Sequence, residues 1–296
     1  MNTSGDTRSL DAGTLAHLQT WAGKTETLLD DITAAPVRGL SATLDRDDAA
    51  PVPGTPLPPL WHWLYFLPQH RQSEIGPDGH AKRGGFLPPV PLPRRMWAGG
   101  RLRWLQENPL VVGDSVRRVS RIDSVTHKSG RTGDLLFVLV KHEVHNAKGL
   151  ALTEEHDIVY RAAVEPGDPV PPPVAAEKDA PWQREITPDD VMLFRYSALT
   201  FNGHRIHYDR EYVTEVEGYP GLIVHGPLIA TLLVDLVRRQ LTGGFIKRFD
   251  FKAVRPVFDL LPFRLNGQLS ADGKSVKLWA EDHDGWLAMQ ATAELA

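Results

Sequence analysis

The stretch LTFNGHRIHYD, residues 199–209, concentrates side chains that can do chemistry. It holds two histidines three positions apart, His204 and His207, together with Asn202 and Asp209. An imidazole titrates near neutrality, so it can take a proton in one step and return it in another. An asparagine amide does not titrate in the working range, but its carbonyl can hold and orient a water molecule. The stretch could be a metal site, an acid–base site or an ordinary turn.

A metal site would need His204, His207 and Asp209 to converge on one ion together with a further ligand. A helix would bring residues three positions apart together, but a helix is not expected directly after Asn202-Gly203. The chain has no HExxH pattern and no cysteine, which also excludes zinc–thiolate sites, iron–sulfur clusters and a catalytic thiol. We therefore predict that no metal is bound here.

The segment VHGPLIA, residues 224–230, is a second candidate because it opens a predicted apolar helix. The first N–H groups of a helix lack partners within the helix, and they can stabilise negative charge on a carbonyl oxygen. Pro227 has no N–H, so the amide of Gly226 is the candidate donor, and the missing side chain allows close approach. The alternative is that Gly226 only belongs to the turn that enters the helix. His225 is a candidate for a substrate contact or for a hydrogen bond within the loop.

The composition is that of a globular protein, with 296 residues of which 42% are hydrophobic and 24% charged. A net charge of −4 disfavours general nucleic-acid or membrane-surface binding, so neither partner is expected. The start, MNTSGDTRSLDAG, has no apolar signal core, and no apolar run reaches the ~20 residues of a membrane span. Together with the absence of cysteine, this predicts a protein of the cytoplasm. The chain has no P-loop and no GxGxxG motif, so we expect no nucleotide or other cofactor.

A proline-rich linker, EPGDPVPPPVAAEKDAPW at residues 165–182, divides the chain. Closely spaced prolines can continue neither a helix nor a central strand. The linker separates an N-terminal part, residues 1–164, from a C-terminal part, residues 183–296. Both parts show the same order of a short helix containing Ser-Ala, a loop, an apolar segment and a set of strands. We interpret this order as a degenerate internal duplication.

The elements of the C-terminal part are the easier to assign. Thr187 is the predicted N-cap of a helix that runs toward Leu199, and the apolar segment 227–237 predicts a buried helix that ends at Arg238-Arg239. In the N-terminal part, PLPPLWHWLYFL predicts the corresponding apolar helix. Four segments in each part alternate like antiparallel strands, such as GDLLFVLVKHEVHN in the first and SVKLWAED in the second. The predicted fold class is therefore α+β, with one buried helix wrapped by a curved antiparallel sheet in each part.

This order of elements, with histidines in a polar loop before GLIVHGPL, resembles the MaoC-like, (R)-specific enoyl-CoA hydratases of the hot-dog fold. Two such units in one chain resemble a double hot-dog. The usual pattern of that family is Asp-x-Asn-Pro-x-His, followed downstream by a glycine-rich segment that ends in His-Gly. His207 matches the histidine of the pattern, and Gly221, His225 and Gly226 match the downstream segment.

Three positions depart from the pattern. Asn202 stands at the aspartate position, His204 at the asparagine position and Arg205 at the proline position. Together with PLWHWLYFL and VKHEVHNAKGLALTEEHDIVYR, these departures resemble one branch of the family. That branch contains the mesaconyl-C4-CoA (3-methylfumaryl-CoA) and itaconyl-CoA hydratases and the mitochondrial 3-hydroxyacyl-thioester dehydratases. The resemblance covers nearly the whole chain, from Ile32 to the end.

The resemblance implies an enzyme, a hydro-lyase that adds water to an α,β-unsaturated acyl-CoA. The preferred substrate is mesaconyl-C4-CoA or itaconyl-CoA, and the product is citramalyl-CoA. In such a site His207 would carry the proton, Asn202 would hold the water, and the amide of Gly226 would stabilise the thioester oxygen. His204 would contact the water or a substrate carboxylate, or it would only stabilise the loop. Arg205 would pair with a substrate carboxylate or a CoA phosphate, or it would remain solvated.

Other functions stay open on the sequence alone, namely dehydration of 3-hydroxyacyl thioesters, thioester hydrolysis and non-catalytic acyl-CoA binding. Hydrolysis would require a carboxylate facing the thioester, which Asn202 does not provide. The N-terminal part lacks the histidine pair and the glycine helix entry, so it is predicted to be non-catalytic and to shape the acyl pocket. Two units in one chain are compatible with a monomer and with a homodimer. The candidate cations for CoA phosphates are Arg94, Arg95, Arg101, Arg103, Lys247, Arg248, Lys252 and Arg255.

Overall fold

The structure, a computed structural model, describes residues 9–130, 133–162 and 172–296. The α-helices are α1 (Ala12–Gln19), α2 (Ala34–Thr43), α3 (Asp190–Leu199) and α4 (Gly226–Gln240). The strands are β1 (Thr25–Asp31), β2 (Arg94–Trp104), β3 (Ser115–Gly130), β4 (Gly133–Asn146), β5 (Gly149–Arg161), β6 (Trp182–Ile186), β7 (Ile246–Ala253), β8 (Phe263–Leu269), β9 (Ser275–Glu281) and β10 (Leu287–Leu295). Short 3-10 turns lie at Trp61–Leu64, Gln72–Glu74 and Arg205–His207, and a π-helical turn lies at Tyr212–Val216. Within the described part of the chain, no helix combines the length and apolar character needed to span a bilayer.

The strands of the described residues form one antiparallel sheet in the order β1-β3-β4-β5-β2-β7-β10-β9-β8-β6. The N-terminal part therefore has the order 1-3-4-5-2, and the C-terminal part, read from the other edge, has the order 6-8-9-10-7. These two orders are the same when the strands are numbered within each part. In addition, α2 follows β1 just as α3 follows β6. The shared topology confirms the predicted internal duplication and the α+β class.

The strands predicted from alternation are confirmed as β2 to β5 in the N-terminal part and β7 to β10 in the C-terminal part. The patterns miss α1, β1 and β6, and β6 begins at Trp182, the last residue of the predicted linker. Residues 165–171 of that linker lie outside the described residues. The division into 1–164 and 183–296 stays a prediction, because one continuous sheet joins the two parts.

Helix α4 is the buried helix that the apolar segment predicts. Ten consecutive residues, 228–237, are buried, and the helix contacts β6, β8, β9 and β10. Pro227 lies in its first turn, where a missing N–H removes no helical bond, and Arg238 and Arg239 lie in its last turn. Cations there offset the partial negative charge of the terminal carbonyls. The C-terminal part therefore matches its prediction of one helix against a curved sheet.

The described residues of the N-terminal part contain no such helix, and the helix predicted for PLPPLWHWLYFL is wrong. The segment forms only one 3-10 turn, Trp61–Leu64. Pro58 and Pro59 precede the turn, Pro68 follows it, and Leu60 has a left-handed φ of 70°. Prolines at both ends and a left-handed residue at the start prevent a helix from extending in either direction. The large apolar side chains of Trp61 and Leu64 are nevertheless buried in the core.

Strands β2 and β7 join the two parts. Gly99 and Gly100 of β2 lie opposite Lys252 and Phe251 of β7. A Cβ at Gly99 would lie 2.5 Å from the carbonyl oxygen of Phe251, and one at Gly100 would lie 2.8 Å from its ring. Only residues without a side chain allow this approach. Phe251 thereby stays in the apolar core that the two parts share.

A buried carboxylate near the C-terminal end of α4 links the two parts through hydrogen bonds. Asp235 is 1% exposed and accepts hydrogen bonds from Arg46 Nη1 (2.6 Å), Arg184 Nη1 (2.7 Å) and Arg239 Nε (2.7 Å). Arg46 follows α2 of the N-terminal part, whereas Arg184 lies on β6. The carbonyl oxygen of Leu44 accepts further bonds from Arg184 and Arg239. A carboxylate this deeply buried is tolerated because three guanidinium groups satisfy it.

We predict that Asp235→Ala lowers the free energy of unfolding by about 3–5 kcal/mol, because it leaves three neighbouring, partly buried guanidinium groups without their shared carboxylate. The measurement is urea unfolding followed by circular dichroism. Lys277→Ala is the control, since Lys277 and its partner Glu177 are 56% and 58% exposed and such pairs contribute about 0–1 kcal/mol. Equal losses in the two variants would contradict a special role for Asp235.

Candidate active site

The loop that carries the histidines begins where α3 ends. α3 is capped by the side chain of Asp189, which accepts the N–H of Met192 at 2.7 Å, so the predicted cap at Thr187 lies two residues too early. At the other end, Phe201 takes a left-handed φ of 48°, its N–H bonds Ala198, and the N–H of Asn202 bonds the carbonyl of Ser197 at 2.8 Å. This is a Schellman ending, in which glycine is the usual left-handed residue. The sharp turn directs the following residues away from the helix axis.

Two local contacts shape the loop itself. The side-chain oxygen of Asn202 accepts the N–H of His204 at 3.0 Å, which is an Asx turn. The N–H of His207 then bonds the carbonyl of His204 at 3.2 Å and closes a 3-10 turn. Asn202 therefore has a structural role in this geometry, and its predicted role as the water holder stays a prediction that would use its remaining hydrogen-bonding capacity.

Arg205 is engaged by the protein on several sides. Its Nε and Nη2 donate to Oδ2 of Asp209 at 2.9 and 2.8 Å, and its Nη1 donates to the carbonyl of Pro77 at 3.0 Å. Its guanidinium also lies 4.1 Å from the ring centre of Tyr212. These contacts favour a structural role for Arg205 over the predicted contact with a substrate or a CoA phosphate. Because the carboxylate of Asp209 is bonded to Arg205, the metal-ligand trio of His204, His207 and Asp209 does not form.

His207 is held in one orientation and one tautomer. Its Nδ1 lies 2.7 Å from the carbonyl oxygen of Ile223, and a carbonyl only accepts, so Nδ1 carries the proton. Its Nε2 is left as an acceptor and makes no hydrogen bond to another described residue. The side chain is 8% exposed, and burial lowers the pKa of His207 to about 4. A neutral imidazole with a bare Nε2 is the state that a general base requires.

The ring of His225 packs against the ring of His207. The two rings stack with centroids 3.8 Å apart and planes 19° apart. His225 Nε2 lies 2.8 Å from the hydroxyl of Ser197, the side chain is 0% exposed, and burial lowers its pKa. This geometry favours the alternative in which His225 bonds the surrounding structure, and the predicted contact with substrate stays a prediction that full burial disfavours.

Gly226 opens α4 next to these histidines, as predicted. Its N–H makes no hydrogen bond within the part of the chain that the structure describes. A Cβ placed on Gly226 would meet no atom within 4 Å, so the space beside it is open. A helical N–H without a partner can stabilise an oxyanion, and the open space beside Gly226 would let a substrate approach its backbone.

Sequence reasoning missed two polar residues of the site, because they come from the N-terminal part. Asp78 and His80 lie on a turn whose Gly79 packs on Gly203, and the N–H of Arg205 bonds the carbonyl of Asp78 at 2.9 Å. A Cβ at Gly79, where φ is +87°, would lie 1.8 Å from the carbonyl oxygen of Gly203, so the contact requires glycine. The motif PDGH signals a turn. The sequence gives no sign that this turn contacts the histidine loop, which lies more than 120 positions later.

The imidazoles of His80, His204 and His207 form a cluster. The His80 and His204 ring centroids are 3.9 Å apart, and those of His204 and His207 are 5.5 Å apart. Burial first, and then the neighbouring charges of His80 and His207, lower the pKa of His204 to about 2. Asp78, His80 and His204 offer ligand atoms within 4.8 Å of one another, a set that could also hold a cation. The prediction of no metal therefore remains a prediction.

Several of the cations proposed for CoA binding are already paired. Arg101 bonds Glu155 and Asp157, Arg248 bonds Asp250 and Glu294, and Arg255 lies 3.1 Å from Asp282. A groove of about 590 Å³ lies beside Arg101, between β2, β7, β10 and β9, and is also lined by Lys252 and Lys277. The histidines do not line it, so its volume does not describe the catalytic centre.

The sequence and the fold both match known proteins. The family model described as hydroxyacyl-thioester dehydratase type 2 matches residues 60–259. A mesaconyl-C(4)-CoA hydratase of Chloroflexus aurantiacus is 49% identical over 284 residues, which cover 95% of this chain and 98% of that protein. A crystal structure of a MaoC-like dehydratase from Phytophthora capsici is similar with a TM-score of 0.66 at 14% identity, over 95% of this chain and 97% of that one. A Mycobacterium tuberculosis protein whose structure is described as a double hotdog fold is similar with a TM-score of 0.56 at 14% identity, over 93% and 96% of the two chains. The predicted double hot-dog fold is confirmed.

The low pKa of His207 predicts an unusual pH profile for this site. The base form is present above a pKa of about 4, whereas an ordinary histidine has a pKa near 6.5. We expect kcat/KM for a substrate of this site to stay level as pH falls from neutrality and to decline only below about pH 5. An acid limb with its midpoint near the ordinary histidine value would contradict this account of His207.

The lowered pKa of His207 also makes the stability of the fold depend on pH. Stability therefore has to be measured at each pH. The folded pKa lies below the unfolded value, so the unfolded chain binds more protons between the two values. The contribution of His207 to the free energy of unfolding should therefore be complete above its unfolded-state pKa. It should fall as the pH drops toward the folded-state pKa. Circular dichroism at each pH separates loss of the base form from loss of the fold.

Proposed function

The chain belongs to the hydroxyacyl-thioester dehydratase type 2 family, and we propose that it is a hydro-lyase that adds water to mesaconyl-C4-CoA and forms citramalyl-CoA. The observation that carries the proposal is a neutral, oriented His207 with a bare Nε2 beside the free N–H of Gly226. The 49% identity to a mesaconyl-C(4)-CoA hydratase over nearly the full length of both chains supports the choice of substrate.

The reaction uses these two groups in complementary ways. His207 Nε2 takes a proton from water while the water oxygen forms a bond to the β-carbon of the unsaturated thioester. The electron pair of the double bond moves to the α-carbon and the thioester oxygen, which the N–H of Gly226 stabilises together with the positive end of α4. The enolate then takes the proton from His207 at its α-carbon. The balance is one water added across one double bond, with the base restored.

A dicarboxylic acyl group fits the charges around the histidines. In mesaconyl-C4-CoA the β-carbon carries the free carboxylate, so that carboxylate would lie next to the histidines that handle the water. Arg95 of β2 is half-buried, and its charge lowers the pKa values of His80 and His204. It makes no ion pair with a carboxylate of the described residues. A guanidinium that no described carboxylate neutralises would stabilise a carboxylate on the β-carbon of a substrate bound near His80 and His204.

Two related substrates rank below this one. In itaconyl-CoA the double bond is not conjugated with the thioester, so the charge developing during water addition would not reach the oxygen that Gly226 can stabilise. Dehydration of 3-hydroxyacyl thioesters, the reaction in the family's description, is the same chemistry in reverse and is the second candidate function. An alkyl chain on the β-carbon would make no use of Arg95.

We also propose a role for each part of the chain. Residues 183–296 carry the base and the oxyanion donor, and residues 1–164 shape the acyl pocket. The acyl-CoA is the partner, and a place in the cytoplasm is in line with a chain that has no cysteine. The fusion of two units allows the enzyme to work as a monomer or as a homodimer.

The test is absorbance of the enoyl-thioester bond with mesaconyl-C4-CoA, itaconyl-CoA and crotonyl-CoA, with free thiol followed in parallel. We expect mesaconyl-C4-CoA to lose absorbance fastest without release of thiol. His207→Ala should lower kcat/KM by at least about 10²-fold, because the base is lost. His283→Ala is the control, since that side chain is 47% exposed on a turn. Thiol release without hydration, or a His207 variant as active as the control, would refute the proposal.

Gly226→Ala separates the oxyanion donor from the fold. The new methyl group would meet no protein atom within 4 Å, and alanine is a better helix residue than glycine, so stability should be kept. The methyl group would occupy the space where the thioester must approach, and we expect kcat/KM to fall by about 10-fold or more. Gly244→Ala, after the end of the same helix, is the control because it meets only ordinary contacts. Wild-type kinetics in Gly226→Ala would exclude this donor.

A further inference from the structure

We propose that Asp78 and His80 of the N-terminal part belong to the catalytic centre, where His80 holds the attacking water together with His207. The proposal rests on the proposed hydration reaction and adds a second acceptor to it. A water molecule has two hydrogens, and two neutral imidazoles that accept both of them leave an oxygen lone pair free for the β-carbon.

The tautomer of His80 is determined by its partner. Nδ1 of His80 lies 3.0 Å from Oδ2 of Asp78, and the N–H of His80 donates to Oδ1 of the same carboxylate at 3.0 Å. An aspartate is ordinarily ionised at neutral pH, so its two carboxylate oxygens are the acceptors in both contacts. Nδ1 of His80 must therefore carry the proton, and Nε2 is left bare.

His80 thus repeats the arrangement of His207 with a different orienting group. In His207 the carbonyl of Ile223 fixes the proton on Nδ1, and in His80 the carboxylate of Asp78 does so. His204 neighbours both rings and has no such partner for its own ring among the described residues. Of the three imidazoles, His80 and His207 are the two whose acceptor nitrogen the structure defines.

The contact between the two parts keeps this pair in register with the histidine loop. The N–H of Arg205 bonds Asp78, Nη1 of Arg205 bonds Pro77, and Gly79 packs on Gly203 at a distance that excludes any side chain. The other carboxylate near the loop, that of Asp209, is occupied by Arg205. Asp78 is therefore the carboxylate available to orient an imidazole here.

The resting enzyme gives the first test, which does not depend on activity. Long-range ¹⁵N–¹H NMR spectra at neutral pH report imidazole tautomers, and we expect His80 and His207 both to be protonated on Nδ1. In Asp78→Asn an amide N–H can face Nδ1, and we expect the proton of His80 to move to Nε2 while His207 is unchanged. A wild-type His80 that is protonated on Nε2, or on both nitrogens, overturns the proposal. The charged and titratable groups that face His80 are Asp78, His204, Arg83 and Arg95.

Kinetics give the second test, on a wild type that hydrates its substrate. We expect His80→Ala and Asp78→Asn to lower kcat by about 10²-fold, with KM changed by less than about 3-fold. His80→Gln should recover part of kcat, because its amide oxygen can accept from water near the position of Nε2. The double variant should be no slower than His80→Ala, because Asp78 acts through His80. His70→Ala, an exposed histidine of the same part, is the control.

Each alternative has its own result. A merely structural role would lower the melting temperature, raise KM along with the loss of kcat and give additive effects in the double variant. A cation site would show metal in the purified enzyme and loss of activity with EDTA. Either result overturns the proposal. An inactive wild type would instead count against the proposed function, and the tautomer measurement would still decide the role of Asp78.

Discussion

The burial of one carboxylate, Asp235, constrains the rest of this molecule. An ionised group at 1% exposure is tolerated only because guanidinium groups from the N-terminal part, from β6 and from α4 itself converge on it. That requirement fixes α4 along its axis relative to both parts. Gly226 lies nine residues earlier, about 13 Å away at the rise of an α-helix. The ion pairs near one end of the helix therefore help to fix the position of Gly226, the proposed oxyanion donor, at the other end.

The site itself lies where the two parts meet, and its chemistry depends on burial more than on charge. His207, His204 and His225 all have lowered pKa values with desolvation as the largest cause, so these three imidazoles are neutral at physiological pH. Neutral imidazoles can accept protons from water. In the proposed mechanism, the same lack of solvent would strengthen the hydrogen bond between a helical N–H and the thioester oxygen.

Much of this could be predicted from the sequence wherever the signal is local. Alternation located β2 to β5 and β7 to β10, and the apolar run after Gly226 located α4. His207 and Gly226 were candidates because their residue types fit the chemistry at short spacing. The helix expected around Trp61 failed because prolines and a left-handed Leu60 outweigh apolar character. Asp78 and His80 could not be found, because only the tertiary contact of Gly79 with Gly203 brings them to the loop.

The 3-10 turn at Trp61–Leu64 has a consequence for how such an enzyme can evolve. In an assembly of identical single-unit chains, every mutation is copied into each subunit by symmetry, so losing the central helix in one place means losing it everywhere. Fusion of two units removes that coupling. One copy could replace its helix with a short turn, while the other kept its helix and the glycine at its start. Broken symmetry within one polypeptide thus allows two halves of the same topology to take different roles.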